Sequence, residues 1–182
     1  MISCLPGTTI ETDLEKNDAS TILSNIFMTG GLVLSQVAQL ANIEPHTIHN
    51  WVKRGFLTPP LDTKYSKEQF CRIVTINMLK DCLPLNEVTR LLTYINGHLN
   101  DDRDDIIDDD KLYLLLVSLI SEMRHFSERA ANEAINHVLE DYEEPFVGAR
   151  DKLKNALLIM GYAYFSTLYS RRAAICMSSL DL

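Results

Sequence analysis

The sequence predicts an all-α protein in which a helix-turn-helix domain is followed by a three-helix C-terminal region. Apolar residues recur at helical spacing along most of the chain, and Gly and Pro residues mark the ends of the predicted helices. An alternating strand pattern is absent, apart from a possible short extended stretch at residues 56–65. The 182 residues are 46% hydrophobic, which is enough to form a compact helical core.

Residues 1–30 are expected to form an N-terminal arm and a short helix. The first 16 residues are expected to be poorly ordered, and the helix is expected from about residue 18 to residue 28. Gly30 and Gly31 then break the helix and separate it from the domain that follows.

The helix-turn-helix domain is predicted over residues 31–98, and its first two helices lie in LSQVAQLANIEPHTIHNWVKRGFL. Ser35 is expected to cap the first short helix. Pro45 suits the first turn of the second helix, because its missing N–H would be unpaired there in any case. Gly55 is expected to end this second helix, which therefore spans residues 45–54.

The second helix of this pair has two chemically distinct faces. At 100° per residue its polar and apolar side chains fall on opposite sides. The polar stripe consists of His46, His49, Asn50 and Lys53. The apolar stripe consists of Ile48, Trp51 and Val52. A helix of this size fits the major groove of DNA, where amides, imidazoles and cations meet base edges and phosphates. The pattern therefore predicts a binding surface rather than a catalytic one.

Two further helices complete the predicted domain. Ser66 and Gln69 form a capping box that opens a helix extending to about Lys80. After the break at Leu83-Pro84, an amphipathic helix follows, and Gly97 is expected to close it.

Residues 99–110 are expected to form an acidic linker. They contain seven aspartates, but a calcium loop would need a central Gly and a Glu at its twelfth position, and both are missing. The composition favours a solvated linker whose last aspartates stabilise the N-terminus of the next helix.

Residues 111–182 are predicted to form a helical dimerisation or sensing domain, with helices at about 110–126, 128–142 and 147–175. The first of these helices is apolar nearly all round, so it is expected to be buried on several sides. Four aromatic residues of the last helix either line a pocket for a small-molecule effector or pack in the core or a subunit interface. These are Tyr162, Tyr164, Phe165 and Tyr169.

The net charge of −8 is distributed unevenly along the chain. Residues 1–30 carry a net charge of −3, residues 99–110 carry −6, and residues 111–182 carry −1. Residues 31–98 carry +2, so the predicted helix-turn-helix domain is the cationic part of an acidic chain.

Residues 33–96 resemble the N-terminal DNA-binding domain of the MerR family of bacterial transcription regulators. The matching stretches are the 24 residues quoted above, then KYSKEQF and LPLNEVTRLL. A closer resemblance is to a bacterial domain-of-unknown-function family that combines a MerR-like helix-turn-helix with a helical C-terminal part. The resemblance implies dimers that bind promoter DNA through a MerR-like domain. The wing is reduced here, because Thr63-Lys64 stands where the usual phosphate-contacting Arg is found.

We therefore expect a DNA-binding transcription regulator that forms a homodimer and reads the major groove of double-stranded DNA with the helix at residues 45–54. The candidate DNA-binding residues are Gln36, His46, Thr47, His49, Asn50, Lys53, Arg54, Lys64 and Lys67. The acidic balance and the reduced wing favour an alternative, a protein–protein interaction module that kept the scaffold and no longer binds DNA. A third idea is pH sensing by His46 and His49, because histidine titrates close to neutral pH.

Several function classes lack their sequence motifs. The chain has no nucleophile elbow, P-loop, HExxH motif or Gly-rich dinucleotide turn, so we expect no enzyme, no catalytic residues and no cofactor. The four scattered cysteines favour free thiols in a reducing cytoplasm over a metal site. No signal peptide and no apolar run of about 20 residues is present, so we expect a cytoplasmic protein without a membrane partner.

Overall fold

The structure, a computed structural model, describes residues 3–14, 17–97, 105–123 and 125–180. These residues are mostly helical, with eight helices and four strands of two residues each. The helices are α1 Ala19–Phe27, α2 Leu34–Ala41, α3 Pro45–Lys53, α4 Lys67–Leu79, α5 Leu85–Asn96, α6 Asp109–Glu122, α7 Glu128–Val138 and α8 Ala149–Ser178. The strands form two antiparallel pairs, β1 Ser3–Cys4 with β2 Glu11–Thr12 and β3 Leu32–Val33 with β4 Lys64–Tyr65.

Helix α4 is the centre of the fold. It packs against α2, α5, α6 and α8, and it is buried around most of its circumference. Its buried residues are Phe70, Cys71, Arg72, Ile73, Val74, Thr75, Ile76, Met78 and Leu79. A helix surrounded in this way fixes the positions of its neighbours, because each neighbour must bury its own apolar stripe against it.

The N-terminal arm is folded onto this core, so the expectation of poor order is wrong for residues 3–14. Leu5 is fully buried, and the Tyr113 hydroxyl donates a hydrogen bond to the carbonyl of Pro6 at 2.7 Å. Gly7 has a φ of +75°, and a Cβ built there would lie 2.4 Å from Cγ of Met78. The close contact with α4 therefore requires glycine at this turn. Its partners lie far away in sequence, so no local pattern predicted this hairpin.

The start of α2 also differs from the prediction. The helix begins at Leu34, and its N-cap is Val33, not Ser35. Val33 belongs to the β3–β4 pair, which holds it in extended backbone. Its N–H donates to Oε1 of Gln36 at 3.0 Å, so Gln36 supplies the capping hydrogen bond. By contrast, the predicted capping box of α4 is confirmed, with reciprocal Ser66–Gln69 hydrogen bonds of 2.9 and 3.2 Å.

Part of the predicted acidic linker belongs to the packed structure. Residues 99–104 lie outside the described residues, but Ile106 and Ile107 are buried in the core. Asp109 accepts hydrogen bonds of 3.0 and 3.1 Å from the Arg72 guanidinium. Asp110 lies 2.6 Å from the ammonium of Lys67. Residues 105–110 are therefore not a solvated segment, because they carry the carboxylates that pair with the cations of α4.

Three helices follow residue 108, as predicted, with different ends. Helix α7 stops at Val138, four residues before the expected end, and the Arg150 guanidinium donates to the carbonyls of Leu139 and Tyr142 beyond it. Helix α6 is buried on several sides, as expected, and packs against α1, α4, α7 and α8. Helix α8 has 30 residues, yet no helix within the described residues combines the length and hydrophobicity needed to span a bilayer.

We predict that Arg72→Met lowers the free energy of unfolding by about 3 kcal/mol at neutral pH, because it leaves the Asp109 carboxylate, whose side chain is only 17% exposed, without its counter-charge. Burial already raises the pKa of Asp109 in the wild type, and losing the guanidinium raises that pKa further. A raised carboxyl pKa means that the folded variant binds a proton more tightly than the unfolded chain. The loss should therefore shrink as the pH falls through that raised pKa.

Urea denaturation at several pH values measures this effect. Arg90→Met is the matched control, since Arg90 pairs with Glu87 on the surface and should change stability by no more than about 0.5 kcal/mol. Adding Asp109→Asn to Arg72→Met should restore much of the lost stability. An equal loss at every pH, with no recovery in the double variant, would contradict the role assigned to the ion pair.

Candidate nucleic-acid interface

Helix α3 is anchored by its apolar side and open on its polar side. Ile48 is fully buried and Trp51 is 3% exposed, so the prediction that Trp51 belongs to the core is confirmed. The polar stripe of His46, His49, Asn50 and Lys53 is exposed to solvent. Among the described residues, none forms a hydrogen bond or ion pair with these four side chains. The stripe therefore presents amide, imidazole and ammonium groups that are available to a ligand.

The turn between α2 and α3 sets the angle at which α3 leaves the core. Asn42 ends α2 with a φ of +50°, a left-handed conformation that Asn tolerates better than most residues. The N–H of Ile43 donates to the carbonyl of Ala38 at 3.0 Å, which closes the end of α2. From α4, the Asn77 side chain donates to the carbonyl of Ala41 at 2.9 Å. The buried central helix is thereby tied directly to this turn.

The segment after α3 forms a short hairpin within the stretch that the sequence predicted as extended. Leu61 and Lys64 form a bridge, and between them Asp62 and Thr63 both have positive φ angles, of 46° and 65°. These angles are those of a two-residue type I′ hairpin turn. Behind it, the Gln69 amide donates to the Thr58 hydroxyl at 2.8 Å and fixes the base of the hairpin on α4. The ammonium of Lys64 is exposed beside the tip.

The remaining predicted contact residues differ in how accessible they are. Thr47 is half-buried, and Arg54 is exposed with its guanidinium 4.5 Å from the centre of the Phe56 ring. The Gln36 amide oxygen is occupied by the N-terminus of α2. The Lys67 ammonium is occupied by Asp110, whose hydrogen bond raises the pKa of Lys67. The structure thus brings the α3 stripe, Arg54 and Lys64 to the surface, while Gln36 and Lys67 have partners within the chain.

Pairing of this kind reduces the cationic character of the domain. Of its seven Lys and Arg residues, four have carboxylate partners in the described structure: Lys67 with Asp110, Arg72 with Asp109, Lys80 with Asp81 and Arg90 with Glu87. The other three, Lys53, Arg54 and Lys64, have none there. The cations of the domain that have no carboxylate partner therefore lie at the end of α3 and on the hairpin after it. Sequence reasoning missed Asp109 and Asp110 as partners, because both lie more than 35 residues from the cations they neutralise.

The four aromatic residues considered for an effector pocket do not line one cavity. Tyr164 borders a cavity of about 290 Å³ between α8, α4 and the turn after α2. Phe165 is buried in the core. Tyr162 and Tyr169 both contact Phe126, at a ring-centroid distance of 4.4 Å for Tyr162 and through a 2.9 Å hydrogen bond for Tyr169. The effector pocket therefore stays a prediction, with Tyr164 alone of these four at the 290 Å³ cavity.

We predict that Trp51→Ala lowers the free energy of unfolding by about 3–5 kcal/mol, because it removes a large buried side chain from beneath α3. Its neighbour Asn50 is the matched control, since it lies on the same helix with its side chain in solvent. Asn50→Ala should change stability by no more than about 0.5 kcal/mol. Chemical denaturation of both variants checks this division of α3 into two faces, and similar losses in the two variants would refute it.

Comparison with known proteins supplies one match. A family described as "Domain of unknown function (DUF1836)" matches residues 21–116, just over half of the chain. No curated protein and no solved structure matches the chain. The MerR-like resemblance stays a prediction, whereas the expected membership of a domain-of-unknown-function family is confirmed. The matched range includes α2, α3, the hairpin after α3, α4 and α5, and it ends within α6. The chain belongs to the DUF1836 family.

Proposed function

We propose that this protein is a DNA-binding transcription regulator that reads the major groove with α3. The observation that supports this function best is the polar stripe of α3, which is unpaired and exposed while the opposite side is fixed to the core. On this proposal, α2, its turn and α3 act as a MerR-like helix-turn-helix, and the short hairpin at residues 61–64 acts as the reduced wing. The protein would act in the cytoplasm on double-stranded DNA.

The side chains of the stripe suit distinct roles in this proposal. The Asn50 amide can hydrogen-bond both major-groove atoms of an adenine, and His49 lies beside it on the same stripe. Lys53, Arg54 and Lys64 supply charge for the phosphate backbone, which fixes register without reading sequence. Gln36 and Lys67 are left out of these roles, because the Gln36 amide oxygen and the Lys67 ammonium have partners within the chain.

The number of unpaired cations limits the affinity of one monomer for DNA, because it offers the phosphates three of them, Lys53, Arg54 and Lys64. In a plot of the logarithm of the DNA-binding constant against the logarithm of salt concentration, each phosphate contact contributes about 0.9 to the magnitude of the slope. A monomer with three such contacts should therefore show a slope of at most about 2.7. A homodimer doubles this number and presents two α3 helices to half-sites about 34 Å apart. We assign the dimer contacts, and the response to a small-molecule effector, to residues 111–182.

A second function, a protein–protein interaction module on the same scaffold, is favoured by one observation. The aspartates at the start of α6 neutralise Arg72 and Lys67, so the domain carries fewer free cations than its composition indicates. An acidic chain with three free cations beside an exposed polar helix could equally bind the acidic surface of a protein. Binding to random DNA discriminates the two functions.

We predict that Lys53→Ala and Lys64→Ala each reduce the salt dependence of DNA binding by about one unit of slope, because each removes a phosphate contact. The control is Lys67→Gln, which keeps a hydrogen-bond donor for Asp110 and should leave the slope unchanged. Fluorescence anisotropy against duplex DNA over a series of salt concentrations measures the slopes. A decrease for Lys67→Gln as large as that for Lys53→Ala would show that the cations are assigned wrongly.

We further predict that Asn50→Ala relaxes base preference at one position per half-site by about 1–3 kcal/mol, since the amide contact that discriminates adenine is lost. Selection from a random duplex library, followed by sequencing, compares the variant with the wild type. Gln39→Ala, an exposed amide on α2, is the control and should leave the motif unchanged. If the wild type enriches no motif, the regulator proposal fails and the interaction module takes its place.

A further inference from the structure

The outer side of α8 carries a heptad seam that lies in solvent. Seven residues follow one another at alternating spacings of three and four, which is the repeat of a coiled-coil contact line. They are Ile159, Tyr162, Ser166, Tyr169, Ala173, Cys176 and Leu180. All seven are exposed, including Leu180 at 56% just beyond the helix end. A seam of apolar and small residues in solvent, with no charged residue among the seven, indicates that another helix packs along it.

This seam has two halves of equal length with different surroundings. Residues 159–169 lie along the body of the protein, with Phe126 beside Tyr162 on one flank and Tyr94 near Ile159 on the other. Residues 170–180 are all exposed. The Arg171 guanidinium pairs with Asp81 at 2.7 Å on the side of α8 away from the seam, so the seam of this half, the free half, has no cover from the described part of its own chain. The half at residues 159–169 spans about 16 Å of helix, and the half at residues 170–180 continues the helix to Ser178, with two further residues beyond its end. The half at residues 170–180 of one molecule can therefore cover the half at residues 159–169 of a second molecule, provided that the two α8 helices are antiparallel.

We propose that two copies of this chain dimerise through antiparallel pairing of their α8 helices, so that the free half of each copy covers the body half of the other. The homodimer itself is part of the proposed function, and the inference rests on it to that extent, but the interface is argued from α8 alone. A two-fold axis between residues 167 and 168 relates the copies, which gives a closed, self-complementary contact.

The side chains along the seam fit this register. It places Tyr162 against the partner's Ala173, and Tyr169 against the partner's Ser166. Ile159 lies against the partner's Cys176, so every bulky residue of the body half meets a small one. In a parallel pair each residue would instead face the same residue of the partner helix. Tyrosine would then pack against tyrosine in two layers, and a small residue would pack against the same small residue in three others. The alternation of sizes therefore selects the antiparallel pair.

A groove on the body supplies the site for the end of the partner helix. The cavity between α5 and α8 has a volume of about 430 Å³ and is lined by the apolar residues Leu83, Leu91, Tyr94 and Ile159 together with the polar residues Glu87, Arg90 and Asn155. In the same register the end of the partner's α8 at Ser178 lies level with Leu157, and the partner's Leu180, two residues further on, reaches towards Asn155. The end of the free half thus brings a leucine to the apolar groove, where burial of both surfaces stabilises the dimer.

Two substitutions of adjacent alanines test the interface. Ala173 lies on the seam, whereas Ala174 is rotated 100° away from it, and both are exposed, so neither substitution disturbs the core of the monomer. Sedimentation velocity over a concentration series should show a dimer for the wild type and for Ala174→Glu. Ala173→Glu buries two unpaired carboxylates and should weaken the dimer by roughly a hundredfold or more. A monomeric wild type, or equal behaviour of the two variants, overturns the proposal.

Electron spin resonance on spin-labelled protein tests the direction of the helices. The label is placed at Ser178→Cys in a chain in which Cys4, Cys82 and Cys176 are replaced by Ser, while the buried Cys71 is kept. The antiparallel register separates the two labels by more than about 30 Å, and a parallel pair places them within about 20 Å. A short distance in a sedimenting dimer overturns the antiparallel pairing. Neither experiment contains DNA, so loss of DNA binding and loss of the interface are recognised separately.

Discussion

The burial of α4 is the constraint on which the rest of the structure depends. Four helices must cover this helix, and one of its buried residues, Arg72, carries a charge that needs a partner within the core. Asp109 meets that need from the first turn of α6, beside the aspartate that pairs with Lys67. The hydrophobic contacts and the two ion pairs therefore act at the same place, and together they fix α6 on α4.

This arrangement explains why α3 keeps an open face. The helix is held through α2 and its turn, which Asn77 ties to α4, while the long α8 lies against α4, α5, α6 and α7. The polar stripe is thus positioned by a rigid support that does not cover it. The same ion pairs that stabilise the core neutralise two cations of the domain, Lys67 and Arg72. Recognition by this surface would therefore depend on shape and amide contacts more than on charge.

Local patterns predicted the features that local chemistry decides. Pro45, Gly55 and the Ser66–Gln69 box placed the ends of α3 and the start of α4 to within about a residue, and helical periodicity separated Trp51 from Asn50 correctly. The N-terminal hairpin and the N-cap of α2 could not be predicted, since both depend on contacts with distant residues. The partner of Lys67 was hidden for the same reason. The sequence thus predicted that the polar stripe of α3 is exposed, but it did not predict which cations of the domain have carboxylate partners.

The position of the two aspartates at the start of α6 bears on where the chain can be divided. A fragment that stops within residues 99–104 would keep α4 but lose the carboxylates of Arg72 and Lys67, together with the apolar side of α6. Such a fragment would expose both apolar surface and cations that have lost their carboxylate partners, which favours aggregation over folding. The smallest stretch that could behave as an independent unit therefore extends through α6, past the acidic run that looks like a boundary.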